Sequence, residues 1–151
     1  MKVVLQRVKK ASVRINNKVF SSIGRGLVLL LGIAEDDTEK QISWFCKKSL
    51  NLRVFPDERA QMNKSVLDIG GQILLVSQFT LLGDVRRGNR PSFSQAEKPE
   101  RAKKLYTKFK QTLQKSGLVV EEGVFGADMV VSLQNDGPVT IIIEDKRGIN
   151  V

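Results

Sequence analysis

Histidine is absent from this 151-residue chain. Without imidazole there is no Ser-His-Asp or Cys-His catalysis, none of the common zinc sites, and no ordinary general base near neutral pH. Cysteine occurs once, at Cys46. A single thiol excludes an intramolecular disulfide and a thiolate metal cluster, and it fits a reducing, cytoplasmic setting. No apolar run approaches the length of a membrane span. The opening Met1-Lys2-Val3-Val4-Leu5-Gln6-Arg7 carries charge within its apolar stretch and has no small-residue cleavage site, unlike a signal peptide. Repeats and low-complexity tracts are missing too. The length suits one domain, expected over 1–151, with a single compact core.

Positive charge is in excess: 25 Lys and Arg against 16 Asp and Glu give a net +9. Such a balance favours a polyanionic partner such as RNA, and it serves solubility equally well.

Alternation of apolar and polar residues over 2–8 and 12–15, with Asn16-Asn17 before Val19-Phe20, predicts an antiparallel hairpin. The segment Gly26 to Ile33 is short, glycine-bounded and apolar on both faces, so it predicts a strand covered on both sides. Gln72–Val76, Met129–Leu133 and Val139–Ile143 share that character. Thr38 and Gln41 have capping-box spacing, and Ile42, Phe45, Cys46 and Ser49 follow on one helical face. A second helix is predicted from Pro99 to Gly117, with Ala102, Leu105, Tyr106, Phe109 and Leu113 as its apolar stripe. Its other face carries Lys103, Lys104, Lys108, Lys110 and Lys115, either a solvated surface or a patch that tracks phosphates. Many short strands with two helices predict an α+β domain built on a curved, antiparallel-rich sheet or small β-barrel. Two helices cover little of such a sheet, which points to a homodimer in which a second copy supplies the rest.

Two polar islands interrupt the apolar strands: Ser77-Gln78-Phe79-Thr80-Leu81 and Asn135-Asp136-Gly137-Pro138-Val139-Thr140. Polar groups at the ends of buried runs are costly unless they are paired, so each island is a tight turn or a binding site. Gly137-Pro138 reads either as an ordinary hairpin, trans by base rate, or as a rigid carbonyl presented to a small ligand. In the first island, Thr80 as a nucleophile would need a lysine or carboxylate as base. Backbone N–H groups aimed at an oxyanion need no ionisable partner and suffice for an activated ester. Downstream, Gly83 to Ser94 forms a basic loop whose Arg86, Arg87 and Arg90 either hold phosphate or face solvent, with Phe93 tucked into the core.

Together the islands resemble the two signatures of the D-aminoacyl-tRNA deacylases, SQFTL and N-x-G-P-V-T, both intact here at 77–81 and 135–140. The likeness extends to Gln6-Arg7-Val8 with Ala11 and Val13, Gly26-Leu27-Val28, Gly88-Asn89-Arg90-Pro91-Ser92-Phe93, and Phe125-Gly126-Ala127-Asp128-Met129. The resemblance implies a cytoplasmic homodimer, free of metal and organic cofactor. Its substrate would be aminoacyl-tRNA: it would hydrolyse the ester of D-aminoacyl-tRNA and remove glycine mischarged on alanine tRNA. It implies a cis bond at Gly137-Pro138 that reaches the partner's pocket and rejects L-amino acids by clash and desolvation. It assigns catalysis to Thr80, Gln78 and Phe79, and substrate binding to Ser77, Gly137 and Pro138. One view of the family makes the residue matching Thr80 a nucleophile. The other leaves the reaction to backbone groups, with the Phe79 and Thr80 amides as oxyanion donors, and to the substrate's ribose 2′-hydroxyl; the missing histidine favours it. A non-catalytic tRNA-binding module and an editing domain for an L-amino acid such as serine are the rivals.

Overall fold

Strand β1 (Lys2–Ile15) is the spine of the sheet in the computed structural model, which describes residues 1–144; positions 145–151 of the expected domain lie outside the described residues. Its first half pairs antiparallel with β3 (Gly26–Gly32), from Lys2↔Gly32 to Val8↔Gly26. Its second half pairs with β2 (Lys18–Ile23). Asn16 and Asn17 join those two strands with φ of 50° and 62°, the left-handed pair that a two-residue hairpin with a primed turn demands. On the opposite edge β1 is matched along nearly its whole length by β8 (Val130–Glu144).

Beyond β3 the sheet turns parallel. β3 pairs with β6 (Gln72–Ser77), and β6 with β7 (Val120–Glu122). Parallel neighbours need long crossovers. The first contains α1 (Glu39–Asn51) and the small hairpin β4 (Phe55–Pro56) and β5 (Met62–Lys64); the second contains α2 (Pro99–Gln114). The order β2-β1-β3-β6-β7 bends back on itself, and Ser21 Oγ of β2 donates to the Glu122 carbonyl of β7 at 2.8 Å. The single domain is therefore α+β with a nearly closed, barrel-like sheet, and that sheet is mixed.

Strands β3 and β6 are apolar on both faces because they feed two cores. Leu27, Leu29, Leu31, Ile73 and Leu75 join Phe45, Phe109 and Leu113 under the helices, while Val28, Leu74 and Val76 join Val8, Val13 and Ile23 on the other side. Each fully buried side chain of this size stabilises the fold by about 1.5–3 kcal/mol. Gln41 accepts the Thr38 N–H at 2.7 Å, the capping box that starts α1. Pro99 opens α2, which stops at Gln114, short of the expected Gly117.

Strand β8 departs from expectation. Val130–Leu133 and Val139–Ile143 belong to one continuous strand that begins just after Met129, and a single chain does not cover both faces: Val130 and Ile142 are 62% and 63% exposed.

Cys46 lies in the core at 1% exposure, and burial pushes its thiol from 9.0 to about 12. A thiol whose folded pKa is raised holds its stabilising contribution below the unfolded value and loses it as pH climbs toward the folded one. Burial, with Glu122 adding to it, pushes the Tyr106 hydroxyl up as well. Stability is therefore expected to fall by about 1.4 kcal/mol per pH unit for each group, above pH 9.0 for Cys46 and above pH 10.0 for Tyr106, as followed by denaturant melts at successive pH values. Native protein at pH 8 should leave Cys46 unreactive toward a thiol reagent until urea unfolds it.

Candidate functional site

The first island sits where β6 ends. Gln78 N–H donates to the Leu31 carbonyl at 2.8 Å, a last contact with the β3 strand, and Phe79–Leu82 then forms one 3₁₀ turn. Gly32 makes room for it: a Cβ there would stand 3.1 Å from both the Gln78 carbonyl and Leu81 Cβ. Leu81 N–H donates to the Gln78 carbonyl at 3.2 Å, so the N–H groups of Phe79 and Thr80 precede the first bond of the turn and have no acceptor within it.

Thr80 Oγ1 accepts from Gln78 Nε2 at 2.5 Å, and among the described residues no lysine or carboxylate hydrogen-bonds to that hydroxyl. Phe79 is 58% exposed, and its ring meets Phe93 edge-on at 5.1 Å between centroids. Phe93 thus does not take the core position that the solvated-loop reading gave it and supports Phe79 instead. The basic loop is pinned by paired Asp84 and Ser92 backbones at 2.8 and 2.9 Å. The Arg86 guanidinium clasps Asp84 at 2.6 and 2.9 Å and holds that carboxyl down at about 2. Arg86 is therefore engaged, whereas Arg87 and Arg90 extend into solvent.

The second island is a bulge inside β8. Gln6 pairs with Thr140 and Val8 with Asn135, so Asp136, Gly137, Pro138 and Val139 face the single residue Arg7. No hairpin forms; the strand continues beyond. The Gly137-Pro138 bond is cis, against the base-rate expectation and in line with the resemblance. Glycine is dictated by space: a Cβ at 137 would lie 2.1 Å from the Val139 nitrogen. Arg7 holds the bulge from across the ladder. Its Nε donates to the Asp136 carbonyl at 2.8 Å and lies 3.4 Å from Asp136 Oδ2, while Nη1 donates to the Val54 carbonyl.

Within one chain the islands stay apart. Ser77 pairs with Leu31, Leu31 with Val3 and Val3 with Ile143, whereas the bulge lies opposite Arg7 further along β1. Three strand spacings across and four residues along give a separation on the order of 20 Å. A hollow of about 460 Å³ beside the turn is lined by Lys2, Leu81, Gly83, Asp84, Arg86 and Glu144 among others, and not by Ser77, Gln78, Phe79 or Thr80. No cluster of three His, Cys, Asp or Glu side chains suited to a metal occurs among the described residues.

The profile of a family described as D-Tyr-tRNA(Tyr) deacylase matches residues 4–144. A D-aminoacyl-tRNA deacylase of Bacillus cereus is 54% identical over 146 residues, covering 97% of this chain and 100% of the relative. The chain belongs to the D-aminoacyl-tRNA deacylase family. Another member, from Chlorobaculum tepidum, is 52% identical over 97% of this chain and 99% of its own. Among solved structures, the c-Myc DNA Unwinding Element Binding Protein superposes with a TM-score of 0.90 at 47% identity, over 96% of this chain and 99% of that one. A probable eukaryotic D-amino acid tRNA deacylase superposes with a TM-score of 0.81 at 20% identity, over 94% and 97%, a likeness of fold.

Both deacylase signatures thus lie on exposed, tightly braced backbone. Arg7 was legible only as part of a matching segment; its signal was a charge set between Gln6 and Val8 within the apolar opening strand. None of the described helices is long and apolar enough to cross a membrane.

Proposed function

We propose that this chain is a homodimeric deacylase that hydrolyses the ester between a D-amino acid and the terminal adenosine of tRNA, and that it also removes glycine mischarged on alanine tRNA in the cytoplasm. Deacylase activity follows from family membership; the finer reading rests on one observation. Two braced signature segments are exposed on the same chain, about 20 Å apart by strand spacing, so each is half of a site that a second copy completes. In that arrangement Gly137 and Pro138 of one protomer reach the pocket around Ser77, Gln78, Phe79 and Thr80 of the other. A rigid Gly137 carbonyl placed where an L side chain would project excludes that enantiomer, and glycine, with no side chain, passes. The exposed faces around Val130 and Ile142 are the apolar surface such a dimer would cover.

Catalysis on this reading is positional and electrostatic. The Phe79 and Thr80 amides are free of the turn's own ladder and stabilise the developing oxyanion, while the ribose 2′-hydroxyl assists. The Thr80 hydroxyl, paired with Gln78 and with no base bonded to it among the described residues, orients the substrate.

Hydrolysis of matched D-tyrosyl-tRNA and L-tyrosyl-tRNA with a chelator present tests this. Cleavage of the D form alone is expected, and Thr80→Ala should stay within about tenfold of the parent. A loss beyond about a thousandfold with tRNA binding intact would make Thr80 the nucleophile. The net charge of +9 and the DNA-binding name of the 47% identical structure favour a second reading, a nucleic-acid-binding module. Binding without cleavage of either ester would select it.

A further inference from the structure

Trp44 is the chain's one tryptophan, and it lines a shallow groove of about 450 Å³ on the outer side of α1 with Lys47, Lys48, Asn51, Leu52 and Arg53. The ring is half-buried, its edge set against Phe45 at 5.0 Å between centroids and an interplanar angle of 86°. Lys48 Nζ stands over it, 5.9 Å from the centroid. Lys47, Lys48 and Arg53 are exposed, and none is within ion-pair distance of a carboxylate among the described residues.

Part of the indole packs against the core, and its remaining half-exposed surface is bordered by an amide and by three cations that no carboxylate reaches within ion-pair distance among the described residues. An aromatic face offers a stacking platform to a base or ribose, the cations hold the phosphates on either side, and Asn51, whose Nδ2 donates to the Lys47 carbonyl at 2.8 Å, can accept from a polar edge through Oδ1. The groove also lies at the functional end of the molecule. Arg53 precedes Val54, whose carbonyl accepts Arg7 Nη1, and Arg7 Nε donates to Asp136 beside Gly137. One cation of the groove, Arg53, thus sits a single residue from the hydrogen-bond network that holds the Gly137-Pro138 bulge.

We infer that the Trp44 groove is an RNA-contact site that seats the sugar-phosphate backbone of the tRNA substrate away from its esterified end. The inference rests on the tRNA substrate class proposed above. It separates two tasks within one molecule: the signature segments handle the ester, and the groove holds the rest of the RNA and governs KM.

The single tryptophan makes the groove its own reporter. Titrating the full-length protein with uncharged tRNA should quench or shift Trp44 emission saturably, a readout that does not depend on hydrolysis and so distinguishes this site's failure from that of the deacylase reading. Reversing the three charges (Lys47→Glu, Lys48→Glu, Arg53→Glu) should raise KM for D-tyrosyl-tRNA at least about tenfold, keep kcat within about twofold, and flatten the dependence of log affinity on log salt by about 2–3. Trp44→Ala should weaken tRNA binding at least about fivefold. Hydrolysis of D-tyrosyl-adenosine, which lacks the RNA body, should be unchanged in the charge-reversed protein, whose substitutions are on the surface and spare the fold. Unchanged Trp44 emission at saturating tRNA, or an unchanged KM and salt slope in the charge-reversed protein, would overturn the site. Equal quenching by polyglutamate would overturn it in favour of an acidic protein partner.

Discussion

Gly137→Ala is expected to lower D-tyrosyl-tRNA turnover at least about a hundredfold, since misplacement of a positioning group by about 1 Å already costs that much. The added Cβ would stand 2.1 Å from the Val139 nitrogen, 3.3 Å from Asn135 Nδ2 and 3.4 Å from Val139 Cα. Two of these are backbone atoms of the same bulge, so no rotamer change relieves the contact and the loop must adopt another path. The fold should survive, because the ladder continues on both sides: Lys2 to Gln6 against Thr140 to Glu144, and Lys10 to Arg14 against Val130 to Gln134. The thermal midpoint should therefore move by only a few degrees, roughly the effect of 1 kcal/mol in a domain of this size. Selectivity carries the second readout. If the Gly137 carbonyl excludes L side chains, the displaced loop should raise the ratio of L to D hydrolysis. Parent-like D turnover with L substrate still rejected would remove the bulge from the site.

Much of this fold could be read along the chain wherever a signal was local. The Thr38 and Gln41 box, the stripe from Ala102 to Leu113 and the doubly apolar runs of β3 and β6 each carry their own periodicity, and each was found where expected. The continuity of β8 was hidden because Asn-Asp-Gly-Pro has the composition of a turn, and a proline breaks a ladder locally. What overrides it is β1, far away in sequence, which pairs on both sides of the bulge. The parallel pairing of β3, β6 and β7 was hidden for the same reason, since strand direction is settled by crossovers and not by composition. Phe93 looked like a core residue by type, yet its partner is the exposed Phe79, set by a loop closure between Asp84 and Ser92. In the candidate site, the two signatures were legible as segments, but their separation across three strand spacings was not. Nor was the role of Arg7, whose partner Asp136 is 129 residues away.

Arg7→Ala should be as damaging to turnover as the glycine substitution, and for a connected reason. The guanidinium, 12% exposed, spans from the Val54 carbonyl to the Asp136 carbonyl, with Asp136 Oδ2 at 3.4 Å. Truncation leaves two half-buried carbonyl oxygens without that donor and a carboxylate without its cation, a stability cost of about 1–3 kcal/mol. Asp136 then has nothing to fix the start of the bulge, and kcat for D-tyrosyl-tRNA should fall by roughly a hundredfold with KM nearly unchanged. Arg7→Lys retains the charge but not the planar fork that serves two carbonyls at once, so it should recover stability more than turnover. That split distinguishes a positioning role from a merely structural one, in which the lysine would restore both together. The glycine and arginine substitutions should also fail to add. If Arg7 acts by holding the conformation that Gly137 permits, combining them should cost little beyond the larger single loss, whereas independent roles would multiply the two.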